Sequence, residues 1–312
     1  MHLKMNIAVI TPVLHLDGIK ELLESKGQVW YCEHGSKEEV RELLLKERID
    51  VIICNPNKQD YYIDKELLER TNVSIINTCS TGMNHIDVEY VESKNIRVYN
   101  LKTDFELLNK LPSTSELALT LMLSLLRKLI PSVSSVKNYQ WDYEPFVGRM
   151  ASELTVGIIG YGRLGKMMAS FCKPLCKEVL IYDPYVMNSE FRNASLEELL
   201  ANSDVISLHV HVKEDTKYMI DSNLLAKMKK SPYIINTSRG EIVNEVDIVE
   251  ALKNKTISGY GADVVEDEFG SIEQSPIIRA MLQGYNIIVT PHTGGMTREG
   301  QQLAFTWAIN KL

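Results

Sequence analysis

Short, continuously apolar runs alternate along the chain with longer stretches whose apolar residues recur three or four apart. In the first hundred residues the runs are NIAVI (6–10), VIIC (51–54), SIIN (74–77) and RVYN (97–100), separated by stretches such as SKEEVRELLLKERID (36–50). A run that is apolar at every position suits a parallel strand buried on both faces, and its alternation with amphipathic helices predicts an α/β sheet. From Leu154 the rhythm is cleaner, with TVGII (155–159), VLIY (179–182), VISLH (205–209), YIIN (233–236), GYGAD (259–263) and IIVT (287–290). Six such strands fit one doubly wound sheet. Ser195 and Glu198 stand at capping-box spacing where one intervening helix opens. Between the two series lie a long helical stretch, SELALTLMLSLLRKL (115–129), and a linker rich in Ser, Tyr and Trp through Ala151 that reads as a hinge region. The closing segment REGQQLAFTWAINKL (298–312) reads as an amphipathic helix able to pack back on the first domain. No repeat at a fixed period interrupts this plan.

Composition narrows the picture. At roughly 150 residues per domain, 312 residues suggest two domains. With 34 basic and 41 acidic residues the net charge is −7, so no global field draws in nucleic acid or an anionic membrane, and a small anionic substrate needs a local basic site. The longest apolar run, Leu117 to Leu126, contains Thr120 and Ser124 and is far short of the roughly 20 residues of a membrane span. Five scattered cysteines (Cys32, Cys54, Cys79, Cys172, Cys176) do not form a secreted disulfide framework, and the first residues lack a secretory pattern, so a reducing cytoplasmic setting is expected. Cys172 and Cys176 lie four apart on one helix face with no further ligand nearby, which favours core packing over metal; no metal site is expected.

Gly160-Tyr161-Gly162-Arg163-Leu164-Gly165 is a G-x-G-x-x-G that follows one predicted strand and opens a predicted helix. In that context the glycines allow a tight turn and close backbone approach, and the helix N-terminus offers N–H donors to a pyrophosphate. Asp183, at the end of VLIY, stands where a carboxylate accepts hydrogen bonds from the adenosine ribose. A carboxylate there repels a 2′-phosphate, and Pro184-Tyr185-Val186 offers no arginine, so NAD is expected over NADP.

Three downstream segments also end predicted strands, where ligands of open α/β sheets gather: Asn236-Thr237-Ser238-Arg239-Gly240, Gly261 through Glu268, and Thr290-Pro291-His292-Thr293-Gly294-Gly295. Taken singly, Arg239 reads as a surface cation, Glu268 as part of a solvated acidic run and His292 as a packed histidine. Together they supply a carboxylate grip, an orienting carboxylate and a group able to exchange a proton near neutral pH.

At these residues the chain resembles the D-2-hydroxyacid dehydrogenase family, through TVGIIGYGRLG, the Asn-Thr-Ser-Arg-Gly turn, the acidic segment ending at Glu268 and Pro-His-x-Gly-Gly. The resemblance covers almost the whole chain. It implies two doubly wound parallel-sheet domains: a flavodoxin-like substrate domain over 1–102, with 292–312 returning to it, and an inserted Rossmann NAD domain over 103–291. It implies an NAD-dependent oxidoreductase acting on the CH–OH group of a small 2-hydroxy acid, or in reverse on a 2-oxo acid. His292 would be general acid/base, Glu268 would fix its tautomer, and Arg239 would hold the substrate carboxylate. Thr237 and Ser238 would line the nicotinamide pocket, Asp263 would meet the carboxamide, and backbone N–H groups of Ser80, Thr81 and Gly82 would hold the carboxylate. The family is usually dimeric, and the 115–129 helix looks like its interface element.

The sequence departs from the family pattern at Asn84-His85, where Asp-Asn is commoner, at Leu117 after Glu116, where the family has histidine, and at His211, where proline is common. His85 therefore reads as a structural hydrogen-bonder. Lys58 stands where phosphoglycerate-type members tend to place an arginine, and reads as a solvated loop lysine. A second function class stays open on the same scaffold: a non-catalytic NAD(H)-sensing protein, which needs the dinucleotide site but no proton donor. Formate or phosphite oxidation is a lesser alternative.

Overall fold

The structure is a computed structural model that describes residues 5–56, 61–186, 190–268 and 270–312. Lys58 lies outside them. The chain divides into two compact units, Met1–Leu111 with Gly295–Leu312, and Pro112–Gly294.

The first unit carries strands β1 (Met5–Val9), β2 (Gly27–Tyr31), β3 (Val51–Cys54), β4 (Ile75–Thr78) and β5 (Arg97–Tyr99), all parallel in the order β2-β1-β3-β4-β5. Alternate residues of β1 face opposite ways. Ile7 and Val9 join Leu23 and the terminal helix residues Phe305, Ala308 and Ile309, whereas Ala8 joins Val40, Leu44, Ile52 and Ile76. The terminal helix Arg298–Ile309 is fastened to β4 by the buried Asn77 amide, which donates to the Ala308 carbonyl at 2.8 Å. The run of apolar strands did not reveal β2, whose GQVWY is a half-exposed edge with no continuous apolar signal.

The second unit carries β6 (Thr155–Ile159), β7 (Glu178–Tyr182), β8 (Arg192–Asn193), β9 (Val205–Leu208), β10 (Tyr233–Asn236), β11 (Gly259–Ala262) and β12 (Ile287–Val289). Their order is β12-β11-β10-β9-β6-β7-β8, again all parallel, which is the doubly wound Rossmann arrangement with one short exposed strand beyond the six expected. Ser195 caps its helix by accepting from the Glu198 N–H, but the Glu198 carboxylate pairs with Arg192 and does not complete the box.

Three boundaries differ from expectation for identifiable reasons. The 115–129 stretch forms a helix only over Ser113–Leu126; Lys128 turns left-handed at φ 46°, and a second helix, Leu129–Lys137, follows at a 63° bend. The first of these helices packs on the sheet, burying Ala118, Leu121, Met122 and Leu125, whereas the second has no buried residue. The first unit runs on to Leu111 because Leu107 enters its core and Lys311 pairs with Asp104. His292 stays with the second unit because its loop is tied to Asp263. The five cysteines are free thiols; among the described residues no cluster of three or more His, Cys, Asp or Glu could hold a metal ion, and no single helix is long and apolar enough to cross a membrane.

Candidate active site

The second unit's site begins where β6 ends. Gly160 has φ 91°, and a Cβ there would stand 2.5 Å from the His209 carbonyl oxygen, so both conformation and space require glycine. Gly162 is the N-cap of the helix Arg163–Cys172; no side chain caps that helix, and nothing lies within 4 Å of where a Gly162 Cβ would be. The helix thus starts without a side-chain cap and with room beside Gly162, as a pyrophosphate needs. The Tyr161 side chain is buried edge-on against Phe191, leaving its backbone to the loop, and the Leu164 carbonyl accepts from Ser115 Oγ at 3.0 Å. Arg163 and Leu164 are half-buried at the first turn and Gly165 is buried beneath the loop.

Asp183 is locked beside this loop, its two carboxylate oxygens accepting the N–H groups of Tyr161 at 2.8 Å and Tyr185 at 2.9 Å. A carboxylate has about four acceptor sites, so room remains for ribose hydroxyls. The open helix terminus and the fixed carboxylate at the next strand end fit a dinucleotide.

Across the sheet, β10 delivers Thr237, Ser238 and Arg239. The Thr237 hydroxyl is buried with no hydrogen-bond partner among the described residues, which suits a site lined for a polar ligand. Ser238 Oγ donates to the Leu208 carbonyl at 2.7 Å, so its hydroxyl is spent tying β10 to β9. Gly240 lies so close to Val265 that a Cβ would fall 2.0 Å from its carbonyl carbon, which seats Arg239 against the acidic segment leaving β11. The half-buried Arg239 guanidinium donates to the Ser238 carbonyl at 2.7 Å and, among the described residues, forms no ion pair. Lys37 and Lys311, by contrast, are each held by carboxylates.

The segments after β11 and β12 meet in one contact: His292 Nδ1 donates to Glu268 Oε2 at 2.7 Å, with the two side chains 29% and 19% exposed. That bond fixes the tautomer, so a proton exchanged with a ligand is the one on Nε2. His292 sits left-handed at φ 52°, a conformation that costs a non-glycine residue on the order of 1–3 kcal/mol and persists only when its surroundings enforce it. Asp263, 2% exposed, does so. Its carbonyl accepts the His292 N–H at 3.0 Å, and its carboxylate accepts Thr290 Oγ1 at 2.5 Å and the N–H groups of Thr293 and Gly294 at 2.8 and 2.7 Å. A contact to a carboxamide would thus fall to Oδ2, which among the described residues accepts only the Gly294 N–H, since Oδ1 is held by Thr290 and Thr293.

Within the first unit, the loop after β4 carries Ser80, Thr81 and Gly82. Ser80 Oγ bonds Thr78 Oγ1 and donates to the Gly82 carbonyl, both at 2.8 Å, curling the loop. Among the described residues the three N–H groups donate to no protein acceptor, as an anion cradle requires. His85 beneath them is 1% exposed, with Nε2 3.4 Å from Cys54 Sγ.

Comparison with known proteins decides the family. The family model for the NAD binding domain of D-isomer specific 2-hydroxyacid dehydrogenases matches residues 119–294, and the model for their catalytic domain matches 7–105. The chain belongs to the D-isomer specific 2-hydroxyacid dehydrogenases. It is 30% identical to a D-3-phosphoglycerate dehydrogenase of Methanocaldococcus jannaschii over 96% of this chain and 55% of that one, so it spans about half the length of that relative. It is 30% identical to a hydroxypyruvate reductase of Thermotoga maritima over 90% of this chain and 88% of that one. A D-lactate dehydrogenase from Aquifex aeolicus, solved with NAD and lactic acid, superposes with a TM-score of 0.77 at 25% identity over 98% of this chain and 93% of that one. Family membership makes the second unit an NAD-binding domain.

Seen as a dehydrogenase domain, the second unit brings Gly160 to Gly165, Asp183, Thr237 to Arg239, Asp263, Glu268 and His292 to one carboxyl edge of its sheet. Of the departures from the family pattern, Leu117, beside the exposed Glu116, packs against the core, and the exposed His211, just past β9, has its carbonyl capped by Thr216 Oγ1 at 2.6 Å. Sequence reasoning passed over Glu245, a buried carboxylate that bonds the segment bearing Glu268. Its only trace was a glutamate in the first turn after Asn244, which resembles a solvent-facing helix start.

Proposed function

We propose that this chain interconverts a small D-2-hydroxy acid and its 2-oxo acid with NAD(H), and that His292, Glu268 and Arg239 carry the chemistry. The observation that bears most of the weight is the 2.7 Å His292–Glu268 bond at a strand edge that also holds an arginine without an ion-pair partner among the described residues. Arg239 takes the substrate carboxylate through two parallel N–H···O bonds, a grip that a lysine cannot reproduce. In reduction His292 gives its Nε2 proton to the carbonyl oxygen, and in oxidation it takes that proton back from the hydroxyl. Glu268 holds the ring in the required tautomer throughout. When bound, the dinucleotide supplies or accepts the hydride at the substrate carbon. Residues Gly160 to Gly165 seat its pyrophosphate, Thr237, Ser238 and Asp263 lie toward its nicotinamide end, and Asp183 holds its ribose and disfavours NADP. Ser80, Thr81 and Gly82 add N–H donors to the substrate carboxylate.

The assembly proposed is a homodimer formed through the Leu129–Lys137 helix and the segment after it. Ile130, Val133, Val136, Tyr139, Trp141 and Tyr143 are all exposed there, an apolar and aromatic surface of the kind that interfaces bury. The expected oligomer face thus moves from the 115–129 helix to its neighbour.

The test of function is NADH oxidation with glyoxylate, hydroxypyruvate, 3-phosphohydroxypyruvate, pyruvate and branched 2-oxo acids. Turnover with one or more supports the dehydrogenase and names its acid. Tight NADH binding with no turnover on any of them would return the NAD(H)-sensing reading, which the relatives named as dehydrogenases and reductases do not favour.

A further inference from the structure

Both halves of the His292–Glu268 pair ride on loops, and each loop is fastened by a buried carboxylate of a neighbouring element. Asp263 fastens the His292 side. On the Glu268 side the carboxylate is Glu245, only 4% exposed at the start of the Glu245–Lys253 helix. One of its oxygens accepts the Glu266 N–H at 3.0 Å and the other accepts the Ser275 hydroxyl at 2.8 Å. Glu266 lies just past β11, and Ser275 caps the Pro276–Leu282 helix that ends the excursion. A single side chain thus closes both feet of the 266–275 loop, with Glu268 two residues from one foot.

Glu245 is not needed to cap its own helix, because the Asn244 side chain already accepts from the Val246 and Asp247 N–H groups. Burying a carboxylate is costly unless its oxygens are satisfied, and here the loop satisfies both. The tight contact of Gly240 with Val265 reaches the Glu266 nitrogen and fixes the chain only up to there. Beyond that point, Glu245 holds the loop by bonds to backbone at one foot and side chain at the other, and Tyr218 bonds the Glu266 carboxylate from outside.

We propose that Glu245 is a positioning residue for the reaction: it holds the 266–275 loop so that Glu268 stays bonded to His292 Nδ1. The inference rests on the reading of His292 and Glu268 as the proton-handling pair. With the clasp removed, Glu268 leaves the ring for part of the time and the productive tautomer is less populated. The glycine loop and Asp183 make no bond to Glu245, so kcat falls while NADH affinity stays close to wild type.

The experiment compares Glu245→Ala, Glu245→Gln, Ser275→Ala, Glu268→Ala and the Glu245→Ala/Glu268→Ala double variant in the full chain. Glu245→Ala is expected to lower kcat about 10-fold with little change in NADH binding. Glu245→Gln keeps an acceptor for the Glu266 N–H and recovers most of that loss, and Ser275→Ala, which opens one foot, gives a smaller loss. In the Glu268→Ala background, adding Glu245→Ala changes kcat by less than about twofold, since the group it positions is already gone. Equal losses in both backgrounds, or an unchanged kcat in Glu245→Ala, overturn the positioning role alone. Full turnover in Glu268→Ala overturns the reading of the pair and the positioning role with it. If Glu245→Ala fails to fold, Ser275→Ala alone and combined with Glu268→Ala decides the same question.

Discussion

Two histidines, one in each unit, stand just beyond the carboxyl ends of parallel strands and have opposite surroundings. His85 is 1% exposed beneath the loop after β4, with Nε2 3.4 Å from the buried Cys54 thiol and Nδ1 unpartnered among the described residues. Burial pushes its pKa down to about 4, so the ring is neutral. The Cys54 thiol beside it is pushed up by the same burial, and no charge develops there. His292 keeps 29% of its side chain exposed, and its Nδ1 is bonded to a carboxylate. Strand-end position alone does not suit a histidine to carry a proton; the role proposed for His292 rests on its carboxylate partner and its exposure.

The most damaging single change on the charged side is His292→Asn. It is expected to lower turnover about 10²–10⁴-fold, the usual worth of a general acid–base, while NADH titration remains near wild type. Next comes Arg239→Lys, which retains charge but loses the planar fork; kcat/KM with the preferred 2-oxo acid should drop about 10–100-fold, as measured by initial rates. Asp183→Ala comes third. It is expected to weaken NADH binding about 10-fold by fluorescence titration and to narrow the gap between NADH and NADPH, the effect of removing a carboxylate proposed to bond the ribose hydroxyls and to repel a 2′-phosphate.

The neutral side shows itself in stability, not in rate. The folded protein holds His85 uncharged down to about pH 4, whereas the unfolded chain protonates it near the ordinary histidine value of 6.5. Between those values the unfolded state binds more protons, so stability is intact above about 6.5 and declines as pH falls toward 4. His209, under the glycine loop and bonded to Ser207 at 2.9 Å, is likewise lowered to about 4 by burial and acts in the same direction in the second unit. Urea unfolding at pH 5 should show a loss of up to about 2 kcal/mol per histidine relative to pH 7, and His85→Gln should flatten that dependence in the first unit. An equal slope in the variant would mean that His85 is already charged in the folded protein.

The charged edge was legible in the sequence because its residue types are rare in strand-end turns and occur at three successive ones. The glycine loop was legible for a related reason: Gly160 must be left-handed and close to His209, a demand only glycine meets. The strands with continuous apolar runs were equally plain. What escaped was set by tertiary contacts. β2 is a half-exposed edge strand, and the Leu129–Lys137 helix buries no residue and lies in a Ser-rich stretch with Pro131 near its start, which reads as a linker. Asp263 matched a ligand-contacting position, yet its carboxylate is held by Thr290, Thr293 and Gly294, partners 27 or more residues away. Glu245 reads as an ordinary helix-start acid until the Glu266 N–H and Ser275 hydroxyl are seen against it.

The most direct measurement pairs NADH binding with NADH consumption in wild type and His292→Asn, across the panel of 2-oxo acids. Wild type is expected to bind NADH and consume it with at least one acid, and the variant to bind it equally while losing about 10²-fold or more of the turnover. Equal turnover in the two proteins, with binding intact in both, would contradict the assignment of the proton to His292.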